Sequence, residues 1–154
     1  MAKIFEPSKE TLELAEEKFD NTGLPQVGIT LKVLATTKAK NVVKVSRSSA
    51  REHYLTSKDI IMVVYEEAFD RLSDEYKEKL IVGALSNVSY DSEKDKLNVE
   101  GDIAKEMFLM RQTCSNYVDI MEAAYLVIAQ IEDEEKQKKE EEKARKAAKK
   151  KGGY

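Results

Sequence analysis

The sequence has no tryptophan, and cysteine and histidine each occur once among its 154 residues. Because Cys114 is alone, an intramolecular disulfide is excluded, and we expect a reducing compartment. Because His53 is alone, a metal site with two histidine ligands is excluded. An apolar run of 18 residues is also absent, so we expect no membrane-spanning helix. The N-terminus lacks the apolar core of a signal peptide, and we therefore expect a cytoplasmic protein.

Charged residues, in contrast, make up 36% of the sequence, and the formal net charge is -3. Residues 132–151 contain nine basic and seven acidic residues, a formal charge of +2, which leaves -5 for the rest. This segment has no aromatic or β-branched residue and consists of strong helix formers. It predicts a single folded domain over residues 1–131, followed by a charged, solvated helical tail over residues 132–154.

The pattern of the body predicts an α+β domain, in which a small mixed sheet packs against helices. A helix follows the cap Ser8, and a second helix (74–88) follows the cap Ser73. A third, long helix begins at Asp102 and buries an apolar stripe from Ile103 to Ile131. The predicted strands and hairpin are 27–38, 41–47, the continuous apolar run 59–65, and 90–101. The remaining segments, 48–58 and 66–72, are predicted to be a loop and a turn.

The segment that begins at Asp59 resembles a known family. The apolar strand is followed by a turn with Phe69, by Leu-Ser-Asp-Glu at 72–75 and by a helix with Leu80. An acidic hairpin (90–97) and Asp102 at the start of the next helix come after it. This order, over roughly residues 27–115, is similar to that of the phage metallopeptidases, small relatives of the SprT-like and gluzincin peptidases. The resemblance implies a minimal zincin-like fold.

The residues that carry the family's chemistry are replaced in this sequence. The family has a His-Glu-Leu-x-His zinc motif in the helix and a His-Asp pair at the start of the next helix. On this resemblance the motif histidines fall on Gly83 and Asn87, the general-base glutamate on Ala84, and the third histidine on Gly101. Two histidines must stand four residues apart to face one zinc ion. The resemblance therefore implies the fold without a metal, a cofactor or the hydrolytic activity.

We therefore expect a catalytically inactive relative of this family, encoded by a phage or prophage and located in the host cytoplasm or the virion, that acts as a binding or structural module with a protein partner. A metal-dependent hydrolase with a relocated site is a further hypothesis.

Gly83 predicts close packing of the helix on the sheet, since glycine inside a helix costs about 1 kcal/mol relative to alanine. Asn87 permits two interpretations: a polar residue that fills a closed site, or an ordinary surface asparagine.

The basic end of the tail supports an alternative function. Six positive charges within nine residues can contact phosphates without sequence specificity. A nucleic-acid-associated accessory protein would use these residues, whereas a solubilising helix would leave them free. The candidate nucleic-acid-binding residues are Lys143, Arg145, Lys146, Lys149, Lys150 and Lys151.

The single histidine and the single cysteine have simpler interpretations. His53 is expected to lie in an exposed loop, and Cys114 is expected to be a small core residue.

Overall fold

A computed structural model describes the backbone of residues 2–101 and 103–152 and the side chains of these ranges up to Lys150. Its centre is a four-stranded mixed sheet with the strand order β1-β2-β4-β3. The strands are β1 (Ile4–Phe5), β2 (Leu31–Thr36), β3 (Val43–Arg47) and β4 (Ile60–Tyr65). Strand β2 is parallel to β4, whereas β1–β2 and β3–β4 are antiparallel. The predicted α+β class with a small mixed sheet is confirmed.

Helices and a separate hairpin surround this sheet. The hairpin consists of β5 (Val88–Asp91) and β6 (Lys96–Val99), so it starts two residues earlier than predicted, at the position where the prediction ended the preceding helix. A single 3-10 turn, Leu24–Val27, precedes β2, which therefore starts four residues later than predicted. The helices are α1 (Lys9–Asp20), α2 (Ala50–Thr56), α3 (Glu66–Asp70), α4 (Asp74–Leu85), α5 (Ile103–Arg111) and α6 (Tyr117–Gly152).

Strand β4 forms the middle of the core. Five of its six residues are buried, so both faces of the strand are covered. A strand covered on both faces needs apolar side chains throughout, which is why its sequence is a continuous run and does not alternate. The prediction of a strand buried on both faces is confirmed.

Helices α1 and α4 begin where their capping residues predict. The Ser8 hydroxyl accepts a hydrogen bond from the Thr11 amide, and Ser73 does the same for Tyr76. Each cap satisfies an amide that the helix itself leaves without an acceptor. Helix α4 packs against α1, β3 and α6 and ends at Leu85, three residues before its predicted end.

Two segments predicted to be irregular are helical. Residues 50–56 form α2, which starts with a capping box between Ser49 and Glu52. The helix has no buried residue, so the apolar periodicity that usually indicates a helix is missing. Residues 66–70 form α3, a helix of little more than one turn that buries Ala68 and Phe69.

The predicted third helix is broken into α5 and α6. Both helices pack on α4 and on each other, which one straight helix cannot do. The break lies at 112–116, and the Cys114 thiol there donates to the Asn116 side-chain oxygen at 3.0 Å. Cys114 is buried in this turn and not on a helical stripe. The predicted cap, Asp102, lies outside the described residues.

Helix α6 continues from the core into the charged segment without a break. Ile131 is its last buried residue, and every described side chain beyond it is exposed. One turn further along, Arg71 donates two hydrogen bonds to Glu134, at 3.1 and 2.8 Å. Within the part of the chain that the structure describes, none of the helices has the length and apolarity needed to cross a membrane.

Candidate functional site

A cavity of about 150 Å³ lies between strand β3 and the helices α4, α5 and α6. Ala84, Asn87 and Gly101 line this cavity, and Gly83 lies on the same helix directly behind it. These four positions come from two separate segments, the end of α4 and the residues before α5. The positions that the family resemblance assigns to zinc chemistry therefore lie together in the fold.

The polar centre of the cavity is Glu106, from helix α5. Its side chain accepts a hydrogen bond from the Asn87 amide at one oxygen and from the Tyr117 hydroxyl at the other, each at 2.8 Å. Glu106 is 8% exposed and Tyr117 is 0% exposed. We call these three residues the Glu106 cluster. Because a hydrogen bond to a carboxylate is about twice as strong as a neutral one, the cluster fixes α4, α5 and α6 relative to one another.

Tyr117 is held in its protonated, hydrogen-bond-donating form. Burial raises the pKa of the Tyr117 hydroxyl far above its ordinary value, and the charge of Glu106 together with the hydrogen bond raises it further. A tyrosinate next to a carboxylate in a low-dielectric site would combine desolvation with like-charge repulsion. Tyr117 is therefore a donor at this site and not a general base.

Gly83 is required by the position of Tyr117. A Cβ atom at residue 83 would lie 1.9 Å from the Tyr117 hydroxyl oxygen and 2.6 Å from the carbon that carries it. The close packing predicted for Gly83 is present, but the partner is a tyrosine of α6 and not the sheet. The reason is that this face of α4 meets the first turn of α6, an approach that the sequence pattern of α4 alone does not reveal.

Asn87 fills the site as a polar residue, which is the first of its two interpretations. Its side-chain nitrogen donates to Glu106, and its Oδ1 is buried without a hydrogen-bond partner among the described residues. A buried acceptor without a donor is unfavourable by about 1–3 kcal/mol, so such an atom indicates a site for a donor.

Strand β3 forms one wall of the cavity and is an edge strand of the sheet. The Tyr65 amide donates a hydrogen bond to the Val42 carbonyl. In an antiparallel pair every second residue bonds to the partner strand, so the backbone N–H and C=O groups of Val43 and Val45 point away from β4. No backbone group bonds to them on that side among the residues described here. Open amides and carbonyls therefore border the cavity.

The residues present do not fit a zinc ion of the family's type. Gly83 and Gly101 have no side-chain donor, Ala84 has a methyl group, and Asn87 offers one amide oxygen. The Tyr117 hydroxyl occupies the space in which a side chain at position 83 would begin. Elsewhere in the described ranges, no three His, Cys, Asp or Glu side chains lie close enough together to hold a metal ion.

His53 lies in a second, more open depression, away from the Glu106 cluster. It is part of α2 and not of a loop, since the helix that begins after the capping residue Ser49 runs over Ala50–Thr56. Its side chain is 58% exposed, as predicted, and Nε2 lies 3.5 Å from an Asp59 carboxylate oxygen. Asp59 also accepts hydrogen bonds from the amide and hydroxyl of Thr30, so it mainly ties the start of β2 to that of β4.

The basic residues of the tail lie on the exposed end of α6. None of their described side chains forms an ion pair within the described part of the chain, and all of those side chains are exposed. The described members are Lys143, Arg145, Lys146, Lys149 and Lys150, whereas the side chain of Lys151 lies outside the described residues.

The sequence interpretation missed Glu106 and the donor role of Tyr117. Glu106 lies between Ile103 and Met110 at helical spacing, so in the sequence it is a charged residue within the predicted apolar stripe, although Ile103 itself is 46% exposed and not buried as predicted. That misplaced charge is a usable signal, because a buried carboxylate needs partners that compensate for lost hydration. Helical spacing predicts that Tyr117 is buried, but the spacing of residues within one segment does not indicate which residue of another helix it contacts.

Comparison of the chain with protein-family models, with curated proteins and with solved structures gives no match.

Proposed function

We propose that the protein is a catalytically inactive relative of the phage metallopeptidases that binds an extended segment of a partner protein along β3. The observation that carries the proposal is the content of the cavity. Three of the four positions assigned to zinc chemistry line it, the fourth, Gly83, packs against Tyr117, and its centre holds a carboxylate that is already hydrogen-bonded to Asn87 and Tyr117. We place this function in the host cytoplasm, as the sequence suggests.

The geometry of the cluster supports binding rather than hydrolysis. Hydrolysis of a peptide needs an activated water and a group that takes its proton. Both oxygens of Glu106 already accept hydrogen bonds, and the raised pKa of Tyr117 keeps its hydroxyl protonated. No histidine lies at the cavity, since His53 is on α2 at the other depression.

The edge of β3 supports an extended segment as the ligand. Open backbone groups on an edge strand pair readily with a further strand, and pockets beside the edge select alternate side chains of that strand. Here the backbone groups of Val43 and Val45 border a cavity that is large enough for one side chain. Towards the end of β3 the edge is approached by β6, where Arg47 donates to the Leu97 carbonyl, so the open stretch is short.

The first experiment tests the absence of peptidase chemistry. Protein purified without chelators is analysed for metals and assayed on a mixture of peptides at several concentrations of added zinc. We expect no stoichiometric zinc and no cleavage. Near-unit zinc per chain together with cleavage would show that the site has been misassigned.

The second experiment tests the binding surface. Peptides are selected from a displayed random library on the intact protein and then measured on two variants of one residue. Val43→Pro removes an amide that points away from β4, so the sheet is retained but the edge donor is lost. Val43→Thr is the matched control. We expect loss of peptide binding with proline only, and equal binding to both variants would contradict the proposal.

A second candidate function uses the basic end of α6. The observation that favours it is that five described cations project from the body on an exposed helix without ion-pair partners among the described residues. Charges presented in this way can neutralise phosphates. Removal of residues 143–154 should then abolish binding to duplex DNA at low salt, while binding of the selected peptides is retained. Unchanged DNA binding would eliminate this candidate.

A further inference from the structure

We infer that the cavity beside the Glu106 cluster receives the ammonium group of a lysine side chain, carried by the segment that binds along β3. The inference rests on the proposed function, because it specifies which side chain the bound segment places in the cavity. It is argued from the charge, the hydrogen-bonding capacity and the size of the cavity.

Among the described residues Glu106 forms no ion pair, and Lys44, the one described cation that lines the cavity, is exposed and is not paired with it. No lysine or arginine among the described residues lies within ion-pair distance of its carboxylate, although the side chain is more than nine-tenths buried. Buried charges in proteins are normally paired, because the lost hydration is only partly replaced by hydrogen bonds from neutral groups. A ligand with a positive charge would supply the missing partner.

The cavity also offers one acceptor without a donor. The Tyr117 hydroxyl and the Asn87 amide both direct their hydrogens to Glu106, and the Oδ1 of Asn87 remains buried and unpaired. A ligand that only accepts hydrogen bonds would leave this oxygen unsatisfied. An ammonium group has three donors and no acceptor, so it can satisfy both Glu106 and Asn87.

The size and walls of the cavity fit one aliphatic stem. Ligand sites for drug-sized molecules enclose about 300–1,000 Å³, whereas this cavity has about 150 Å³. Leu80, Ala84, Met121 and Ala124 supply apolar walls. A lysine side chain is a compact charge on a flexible four-carbon stem, whereas the planar guanidinium of arginine is wider. The apolar walls and the acidic end therefore match the two parts of lysine.

The experiment uses the intact protein labelled with ¹³C at the methionine methyl groups. Met121 lines the cavity and reports on occupancy, whereas Met62 is buried in the central strand and is an internal control. The probes are n-butylammonium and n-butanol, which share the stem and differ in charge. We expect a saturable shift of Met121 with n-butylammonium, little effect of n-butanol, and no movement of Met62.

Variants then assign the effect to Glu106. Glu106→Gln removes the charge at constant size and should weaken n-butylammonium binding about tenfold or more, as expected for a hydrogen bond to a charged group. The matched control is Glu100→Gln, which removes an exposed carboxylate paired with Lys105. If Glu106→Gln perturbs the fold, Ala84→Val keeps the cluster and fills the cavity from its wall, and it should also abolish binding. Equal binding to the parent and to all three variants would overturn the inference.

Peptides distinguish the source of the ammonium group. A selected peptide with lysine at the position facing the cavity is compared with the same peptide carrying norleucine, which keeps the stem and loses the charge. We expect at least tenfold tighter binding of the lysine peptide, and only in the presence of Glu106. If all segments bind along β3 without a preference for lysine, this inference fails while the proposed function stands. If n-butylammonium binds but no lysine peptide does, a protein ligand is excluded and a small free amine is the occupant.

Discussion

Glu106 and Glu134 each accept two hydrogen bonds from another part of the chain, yet they do so in opposite environments. Glu106 is 8% exposed and is bonded by the neutral groups of Asn87 and Tyr117. Glu134 has a side chain that is 53% exposed and is bonded by the charged guanidinium of Arg71. The first carboxylate forms no ion pair among the described residues, and the second forms one but remains in water.

This difference shows where charge matters in the molecule. Water screens the Arg71–Glu134 pair, and such surface pairs contribute little to stability. The hydrogen bonds of Glu106 are shielded from water, so each is stronger and each donor is costly to leave unsatisfied. Among the described residues, Glu106 is the one buried carboxylate of the body, whereas the charged side chains of the α6 extension are exposed. The predictions below test this contrast.

The largest expected effect is that of Gly83→Ala, because it forces the Tyr117 ring away from α4. The new Cβ would lie 1.9 Å from the tyrosine oxygen. Overpacking of this kind costs about 1–3 kcal/mol, and we expect the upper end because the Glu106 cluster is displaced as well. Urea unfolding followed by circular dichroism measures the loss.

The matched control is Gly101→Ala, at the other glycine of the four motif positions. A Cβ at this residue would meet no atom within 4 Å, so stability should change by less than about 0.5 kcal/mol. Equal stability of the two alanine variants would contradict the packing described for Gly83.

The same overlap affects a zinc motif introduced at the positions that the family resemblance suggests. Gly83→His, Ala84→Glu, Asn87→His and Gly101→His together should give zinc affinity only if Tyr117 is also replaced by a smaller residue.

The second effect concerns the hydrogen bond of Tyr117. Tyr117→Phe removes a buried donor to a carboxylate, and we expect a loss of about 1.5–3 kcal/mol. The matched control is Tyr125→Phe, whose hydroxyl donates to Asn41 at 3.3 Å near the surface. That variant should lie within about 0.5 kcal/mol of the parent. If the two phenylalanine variants unfold at the same urea concentration, the buried hydroxyl of Tyr117 contributes no more to stability than the exposed hydroxyl of Tyr125, and the prediction is wrong.

The third effect is a loss of stability at alkaline pH. The pKa of Tyr117 is raised in the folded protein, so the native state retains a proton that the unfolded chain releases near pH 10. Its contribution to stability is complete below that pH and is lost as the pH rises towards the folded pKa, by about 1.4 kcal/mol per pH unit. Urea titrations between pH 9 and 11 should show this slope, and Tyr117→Phe should reduce it. An unchanged slope in that variant would assign the effect to other tyrosines.

Much of the fold could be predicted from local patterns, because the signals and the structure share one segment. The apolar run of β4 requires burial on both faces, and Ser8 and Ser73 cap the helices that follow them. Helix α2 was not predicted, although its capping box at Ser49 and Glu52 is visible in the sequence. The reason is that this helix buries no side chain. Without an apolar stripe, the cap was the only local indication of that helix.

The candidate site was predictable only in part, for a different physical reason. Ala84, Asn87 and Gly101, three of the four positions that the resemblance assigns to zinc chemistry, line one cavity, and Gly83 packs against Tyr117 beside it. The break between α5 and α6 was hidden, because buried residues recur on both sides of it at nearly helical spacing. Tyr117 consequently turns back onto α4, and its contact with Gly83 depends on the angle between two helices. Such an angle is set by tertiary packing and has no signature in a single segment.

The smallest expected effect is that of removing the α6 extension. The last buried residue is Ile131, and beyond it Glu134 forms a hydrogen-bonded ion pair with Arg71, whose guanidinium lowers the pKa of the Glu134 carboxyl. A lowered folded pKa means that the pair stabilises at neutral pH and loses this contribution as the pH falls. Because both groups are in water, the contribution is small.

We therefore compare truncation after Ile131 with truncation after Gln137, which keeps the pair. Both should melt within the measuring error of the full chain at neutral pH in 0.15 M salt. A clear loss in the shorter chain alone would mean that the surface pair supports the end of α6, and a loss in both would mean that the extension packs on a second copy.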